Sequence, residues 1–166
     1  MCAADSKAYV ILIWYEKDPL TKLSEGLIFY IIFNVGWVLV ETMYIYYNPN
    51  PMGKRVGDCS VRAISKALNM SWDDAYITIS ECGYQMGDMP SADYVWGEVL
   101  KQHGFTRHII PNSCPNCYTA EMFCHDHPQG VYVLGFGNHV VTVVDGNIYD
   151  SWDSSNQIPI YYWRKR

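Results

Sequence analysis

His139-Val140-Val141-Thr142-Val143-Val144-Asp145-Gly146-Asn147-Ile148-Tyr149-Asp150 is the stretch on which the reading of this chain turns. It is rich in β-branched residues up to Val144, breaks at Asp145-Gly146 and resumes from Asn147 to Asp150. Asp-Gly between two such runs marks a two-residue hairpin turn, because both central residues must take positive φ. With that turn, residue 144 faces 147, 143 faces 148 and 141 faces 150. Side chains alternate along a strand, so His139 and Val141 share a face. Asp150 then lies on the same face, diagonal to His139. Diagonal cross-strand neighbours sit about 7–8 Å apart, within reach of long side chains. Asp153 falls on the opposite parity and is the weaker partner. A three-residue bulged turn would reverse that choice.

Outward from the hairpin, Val131 to Phe136 reads as a strand before it and Ile158 to Trp163 as the strand that closes the sheet. The upstream half reads as helices. One runs from Cys59 to Leu68, with Val61, Ile64, Ala67 and Leu68 on one face. A second is N-capped by Ser71 and stopped at Gly83, and a third is opened by Ser91 and ends before Gly104. Phe105 to Ile110 reads as a strand, and a short helix runs from Thr119 to about His127. Tyr44 to Tyr47 reads as a short strand ahead of the turn-rich Asn48-Pro49-Asn50-Pro51-Met52-Gly53. Tyr44, Tyr46 and Tyr47 are expected to pair and pack with Tyr161, Tyr162 and Trp163. Helices lead and an antiparallel sheet follows, which is the α+β class.

Cys59 stands where a glycine-bearing loop, Gly53-Lys54-Arg55-Val56-Gly57-Asp58, becomes a helix. A helix N-terminus carries partial positive charge and unpaired N–H groups. Both favour a thiolate, the reactive form of cysteine. The backbone N–H of Cys59 is also placed to face a developing oxyanion. A cysteine at this position is otherwise simply small and buried, and a histidine at a strand start is often structural. What links them is Asp150, since an imidazole bonded to a carboxylate is oriented and its cation stabilised.

At these residues the chain resembles the papain-like cysteine peptidase superfamily. The matching pieces are Gly57-Asp58-Cys59-Ser60 opening a helix, Gly137-Asn138-His139-Val140-Val141 on a strand, and Tyr149-Asp150-Ser151-Trp152. Cys before His before Asp is the order of that superfamily. The nearest likeness is to small bacterial and phage-type peptidase-like domains, including those that process bacteriocin leaders, and it covers about Met43 to Trp163. The resemblance implies a papain-like fold, with the nucleophile on the first of several N-terminal helices packed on a C-terminal antiparallel sheet. It implies Cys59 as nucleophile, His139 as general base and acid, and Asp150 as the orienting residue. The reaction implied is amide cleavage of a peptide or protein through a thioester, with no cofactor required. The superfamily's oxyanion Gln, six residues before the cysteine, is replaced here by Gly53, and Asn48 and Asn50 are the candidate amide donors. Asp58-Cys59-Ser60 is also similar to the Asp-Cys-Ser-Gly start of NlpC-type cell-wall peptidases, with Val61 in place of the glycine. A domain of the same fold that only binds a protein partner is the non-enzymatic alternative.

Cys114-Pro115-Asn116-Cys117, with Cys124 and His127 close behind, supplies Cys/His donors of the kind zinc takes. A structural zinc on Cys114, Cys117, Cys124 and His127 is one reading of this segment, and a redox CxxC is another. The helical stripe Ala120, Phe123, Cys124, His127 as ordinary core is the third. The six cysteines show no secreted-scaffold spacing, so a reducing, cytoplasmic setting with unbridged thiols is expected. Lys54 and Arg55 are candidates to lower the thiol pKa, and Arg62 and Lys66 read as an exposed helical stripe. Trp152 is placed to flank the histidine.

The chain has 166 residues and a net charge of −5, with 49% hydrophobic and 15% aromatic residues. That is enough apolar material for one domain with a core. The acidic balance offers no footprint for nucleic acid. Residues 1–42 differ from the remainder, residues 43–166. Gly26 to Val40 carries no charge, and the apolar character runs on to Tyr47. A membrane anchor through residues 26–47, a segment docked on the domain and an upstream extension are the three readings of this region. A cleavable signal peptide does not fit, because acidic residues precede a late apolar run.

Overall fold

A computed structural model of the chain describes residues 43–112 and 115–165. The anchor, docked-segment and extension readings of residues 1–42 lie outside them. Among the described residues no helix is long and apolar enough to cross a membrane. The described part of the apolar stretch is strand rather than helix, since Tyr44–Tyr46 forms β1.

Among the described residues, three helices follow β1. Helix α1 spans Cys59–Leu68, α2 Trp72–Met86 and α3 Asp93–Gln102. Strand β2, Phe105–Ile109, and the short helix α4, Ala120–Asp126, follow. The chain then lays down β3 (Val131–Gly135), β4 (Val140–Val144), β5 (Asn147–Asp150) and β6 (Tyr161–Lys165). The helix ends have local causes. Asn69 takes a left-handed φ of 54° after α1, and the Met70 N–H returns to the Ser65 carbonyl at 3.0 Å. The Ser71 hydroxyl caps α2 by accepting from the Asp74 N–H at 3.0 Å. Gly83 does not stop α2. The helix runs one turn further to Gly87, at φ 68°, where the Asp88 N–H bonds the Gly83 carbonyl at 3.0 Å. Gly83 is needed for closeness instead, since a Cβ there would lie 2.8 Å from the Asp88 carbonyl oxygen. Helix α3 begins after Ala92, one residue later than Ser91 suggests.

The six strands form one sheet in the order β1-β5-β4-β3-β6-β2. It is mixed, not wholly antiparallel, because β1 pairs parallel to β5. The expected pairing of the two tyrosine-rich segments does not occur, as β5, β4 and β3 stand between β1 and β6. The closing strand starts at Tyr161 and extends to Lys165. The Asp145-Gly146 turn has both φ positive, 48° and 74°, and the register Val144↔Asn147, Val143↔Ile148 follows.

The sheet is buried on both faces, which is why β3 and β4 read as nearly continuous apolar runs. Val133, Val140, Tyr161 and Trp163 pack under Ile64, Ile79, Val95, Val99 and Leu100 of the three long helices. Leu134, Val141, Val143 and Ile148 pack on the other face with Phe123 of α4. Fully buried Thr142 bonds the Ala63 carbonyl at 2.7 Å and fixes α1 on β4. This places the N-terminus of α1 at the open end of the β4–β5 hairpin.

Gly135 marks a second close approach. A Cβ there would lie 2.2 Å from the ring of buried Tyr161, whose hydroxyl donates to Asp93 at 2.8 Å. The ring is held and cannot yield. Gly135→Ala is therefore expected to destabilise the domain by about 1–3 kcal/mol. An unchanged thermal midpoint would mean that Tyr161 moves freely.

Candidate active site

Cys59 is the first residue of α1 and is a half-buried free thiol. His139 stands just before β4 and Asp150 ends β5, so the hairpin turn sets their spacing. The imidazole Nε2 bonds Asp150 Oδ2 at 2.6 Å. The Cys59 thiol lies beside the same imidazole, and each group shifts the titration of the other. The sequence-predicted trio is thus brought together around one ring, with Asp150 and not Asp153 as the acid. Asp153 instead accepts from the Ser155 N–H at 3.1 Å.

Charge follows this geometry. Burial opposes the Cys59 thiolate, but the His139 hydrogen bond and charge, the Val140 N–H and the Arg62 charge together bring the thiol below its ordinary value. Burial likewise opposes the imidazolium, yet the hydrogen bonds and charges of Asp150 and Cys59 raise His139 to about 9. Both shifts run toward the thiolate–imidazolium form. Among the described residues the other two free thiols shift the opposite way. Burial raises Cys82, and burial pushes Cys124 up to about 12.

Two aromatic rings bracket the imidazole. Trp152 lies 5.1 Å away between ring centroids and Phe136 6.1 Å away, nearly parallel. Trp152 is exposed and flanks His139, as its position in the sequence suggests.

Arg62, read from sequence as part of an exposed stripe, is 6% exposed. It sits three residues after Cys59, on the same side of α1, and faces the hairpin. Its Nη1 pairs with Asp58 and its Nη2 lies 3.5 Å from Asp150 Oδ1. Lys66 is half buried as well, with its ammonium 3.6 Å from the centre of the Tyr149 ring. Asp58, also missed as a site residue, accepts from Trp72 Nε1 at 2.9 Å and Asn50 Nδ2 at 3.4 Å. The spacing of Asp58 and Arg62 at i, i+4 signals a helix pair, but nothing local signals that the helix face is buried.

Asn48 and Asn50 use their amides within the loop. Asn48 Nδ2 donates to the Lys54 carbonyl at 3.2 Å, and Asn50 Nδ2 to Asp58. Asp58 makes no side-chain cap at the start of α1, so its carboxylate leaves the first backbone N–H groups of that helix uncapped. Lys54 and Arg55 are exposed, and the side-chain cation acting on Cys59 besides His139 is Arg62.

The zinc donor set is divided. Cys114 lies outside the described residues. Cys117 is disulfide-bonded, against the expectation of unbridged thiols, and a bridged sulfur is not a thiolate ligand. Cys124 is 1% exposed in the core, and His127 stacks on Phe123 at 4.0 Å with Nδ1 on the Phe123 carbonyl. Among the described residues no group of three or more His, Cys, Asp or Glu is gathered for a metal.

No protein-family model, curated protein or solved structure matches this chain. The functional reading therefore rests on the site.

Proposed function

We propose that the chain is a cysteine peptidase of papain-like fold, cleaving an amide bond in a peptide or protein. One observation carries the reading: the imidazole that is bonded to Asp150 lies beside the thiol of Cys59, with the thiol at the start of a helix. The Cys59 sulfur attacks the carbonyl carbon, and the oxyanion meets the open N–H groups of α1. The C–N bond breaks as His139 gives its proton to the leaving amine. The acyl group remains as a thioester. His139 then takes a proton from water, whose oxygen attacks the thioester, and the thiolate returns. Asp150 stays ionised and holds the ring throughout.

The test is a mixed peptide library incubated with the full chain, with new termini read by mass spectrometry. Wild type is expected to generate termini that Cys59→Ala does not, with turnover falling as pH passes about 9 and the imidazolium is lost. Identical termini from Cys59→Ala would sink the reading. An activated thiol with no cleavage would favour the peptidase-like binding domain instead. The Asp58-Cys59 pair is compatible with a cell-wall stem peptide as substrate, and such peptides belong in the library.

A further inference from the structure

We propose that Arg62 is a positioning residue that keeps the Asp58 carboxylate off the first turn of α1 while tying that helix to Asp150. The inference deepens, and rests on, the cysteine-peptidase reading.

Asp58 occupies the N-cap position of α1, directly before the nucleophile. Aspartate is among the preferred caps, accepting from the N–H two or three residues on. Here it makes no such bond. Its oxygens are taken by Arg62, Trp72 and Asn50. Its ψ of 25° also departs from the extended backbone of a side-chain cap. A capping carboxylate at this point would set a negative charge against the thiolate. It would also occupy the N–H groups that the oxyanion needs.

Arg62 is what a buried fork is suited to. A guanidinium can engage two carboxylates from one plane, whereas an ammonium is a point charge. Its two ends reach Asp58 on its own helix and Asp150 at the end of β5. The charged groups around Cys59 are then accounted for: Asp58 and Arg62 from α1, His139 ahead of β4, and Asp150 from β5 behind the ring. Without Arg62, two buried carboxylates would flank the pair with only the imidazolium to offset them.

The experiment measures iodoacetamide labelling of Cys59 against pH in the full chain, for wild type, Arg62→Gln and Asp58→Asn/Arg62→Gln, with folding checked by circular dichroism. Arg62→Gln is expected to move the labelling midpoint up by about one pH unit, which is about a ten-fold loss of rate below the midpoint. Adding Asp58→Asn removes the released charge and is expected to restore labelling to within about three-fold of wild type. A purely structural role predicts no such recovery. Arg62→Gln labelling like wild type, or the double variant labelling no faster than Arg62→Gln, overturns the proposal. If Arg62→Gln does not fold, the double variant decides alone: near-wild-type labelling supports the proposal and ordinary thiol behaviour overturns it. An ordinary profile in wild type itself would instead overturn the peptidase reading on which it rests.

Discussion

Iodoacetamide labelling of Cys59 in wild type is expected to change less between pH 6 and pH 8 than that of an unactivated thiol, because His139 and Arg62 bring the thiol below its ordinary value. An unactivated thiol, with a pKa of about 8.5, gains nearly a hundred-fold in thiolate over the same range. The shallower profile follows from the pair, because the imidazolium beside the thiolate makes it harder to protonate. His139→Ala removes the main groups that favour the thiolate, the hydrogen bond and the charge of the ring, while burial remains. Its profile should therefore steepen to that of an ordinary or weaker thiol, with the rate at pH 6 falling below that of wild type. Cys82 and Cys124 serve as internal controls, since burial raises both. A steep Cys59 profile in wild type would mean that the imidazole contact does not activate the thiol.

Asp150→Ala carries the second large effect. Asp150 is 2% exposed and serves His139 Nε2 at 2.6 Å, the Ser151 N–H at 2.7 Å and Arg62 Nη2 at 3.5 Å. Removing it leaves a buried guanidinium with one carboxylate instead of two, and an imidazole with no anchor. Breaking a buried pair by deleting one member costs about 3–5 kcal/mol, far more than a surface bridge. Asp150→Asn keeps the shape and an acceptor for the ring, so it should cost less, yet it removes the charge that helps hold His139 near 9. Urea unfolding ranks the three proteins, and the labelling profile of each reports the ring. A loss below about 1 kcal/mol for Asp150→Ala would show that the network contributes little to stability.

The His139–Asp150 pair was legible in the sequence because a two-residue turn fixes register, and register fixes which side chains meet. The same held for the start of α1 at Cys59, where loop glycines give way to a helical apolar stripe. Arg62 was not legible. Its spacing from Lys66 suits a solvated face equally well, and only the docking of α1 on the hairpin turns it inward. Gly83 misled for a related reason: a glycine is also used inside a helix where another segment comes close, and the nearby Asp88 carbonyl is not visible in a linear pattern. The parallel pairing of β1 with β5 was hidden because three residues carry too little pattern to choose a neighbour. The disulfide at Cys117 depends on spatial proximity, which cysteine counting does not supply.

The bond from Thr142 to Ala63 spans 79 positions of the chain, and the contact of Arg62 with Asp150 spans 88. Protein synthesis delivers these partners in order. The helix bearing Cys59 leaves the ribosome well before the hairpin that supplies His139 and Asp150. Until the hairpin arrives, Cys59 has neither the imidazole beside it nor the strand that fixes its helix, and it is chemically an everyday cysteine. The surroundings that lower its thiol are thus assembled only when the last part of the fold has been made.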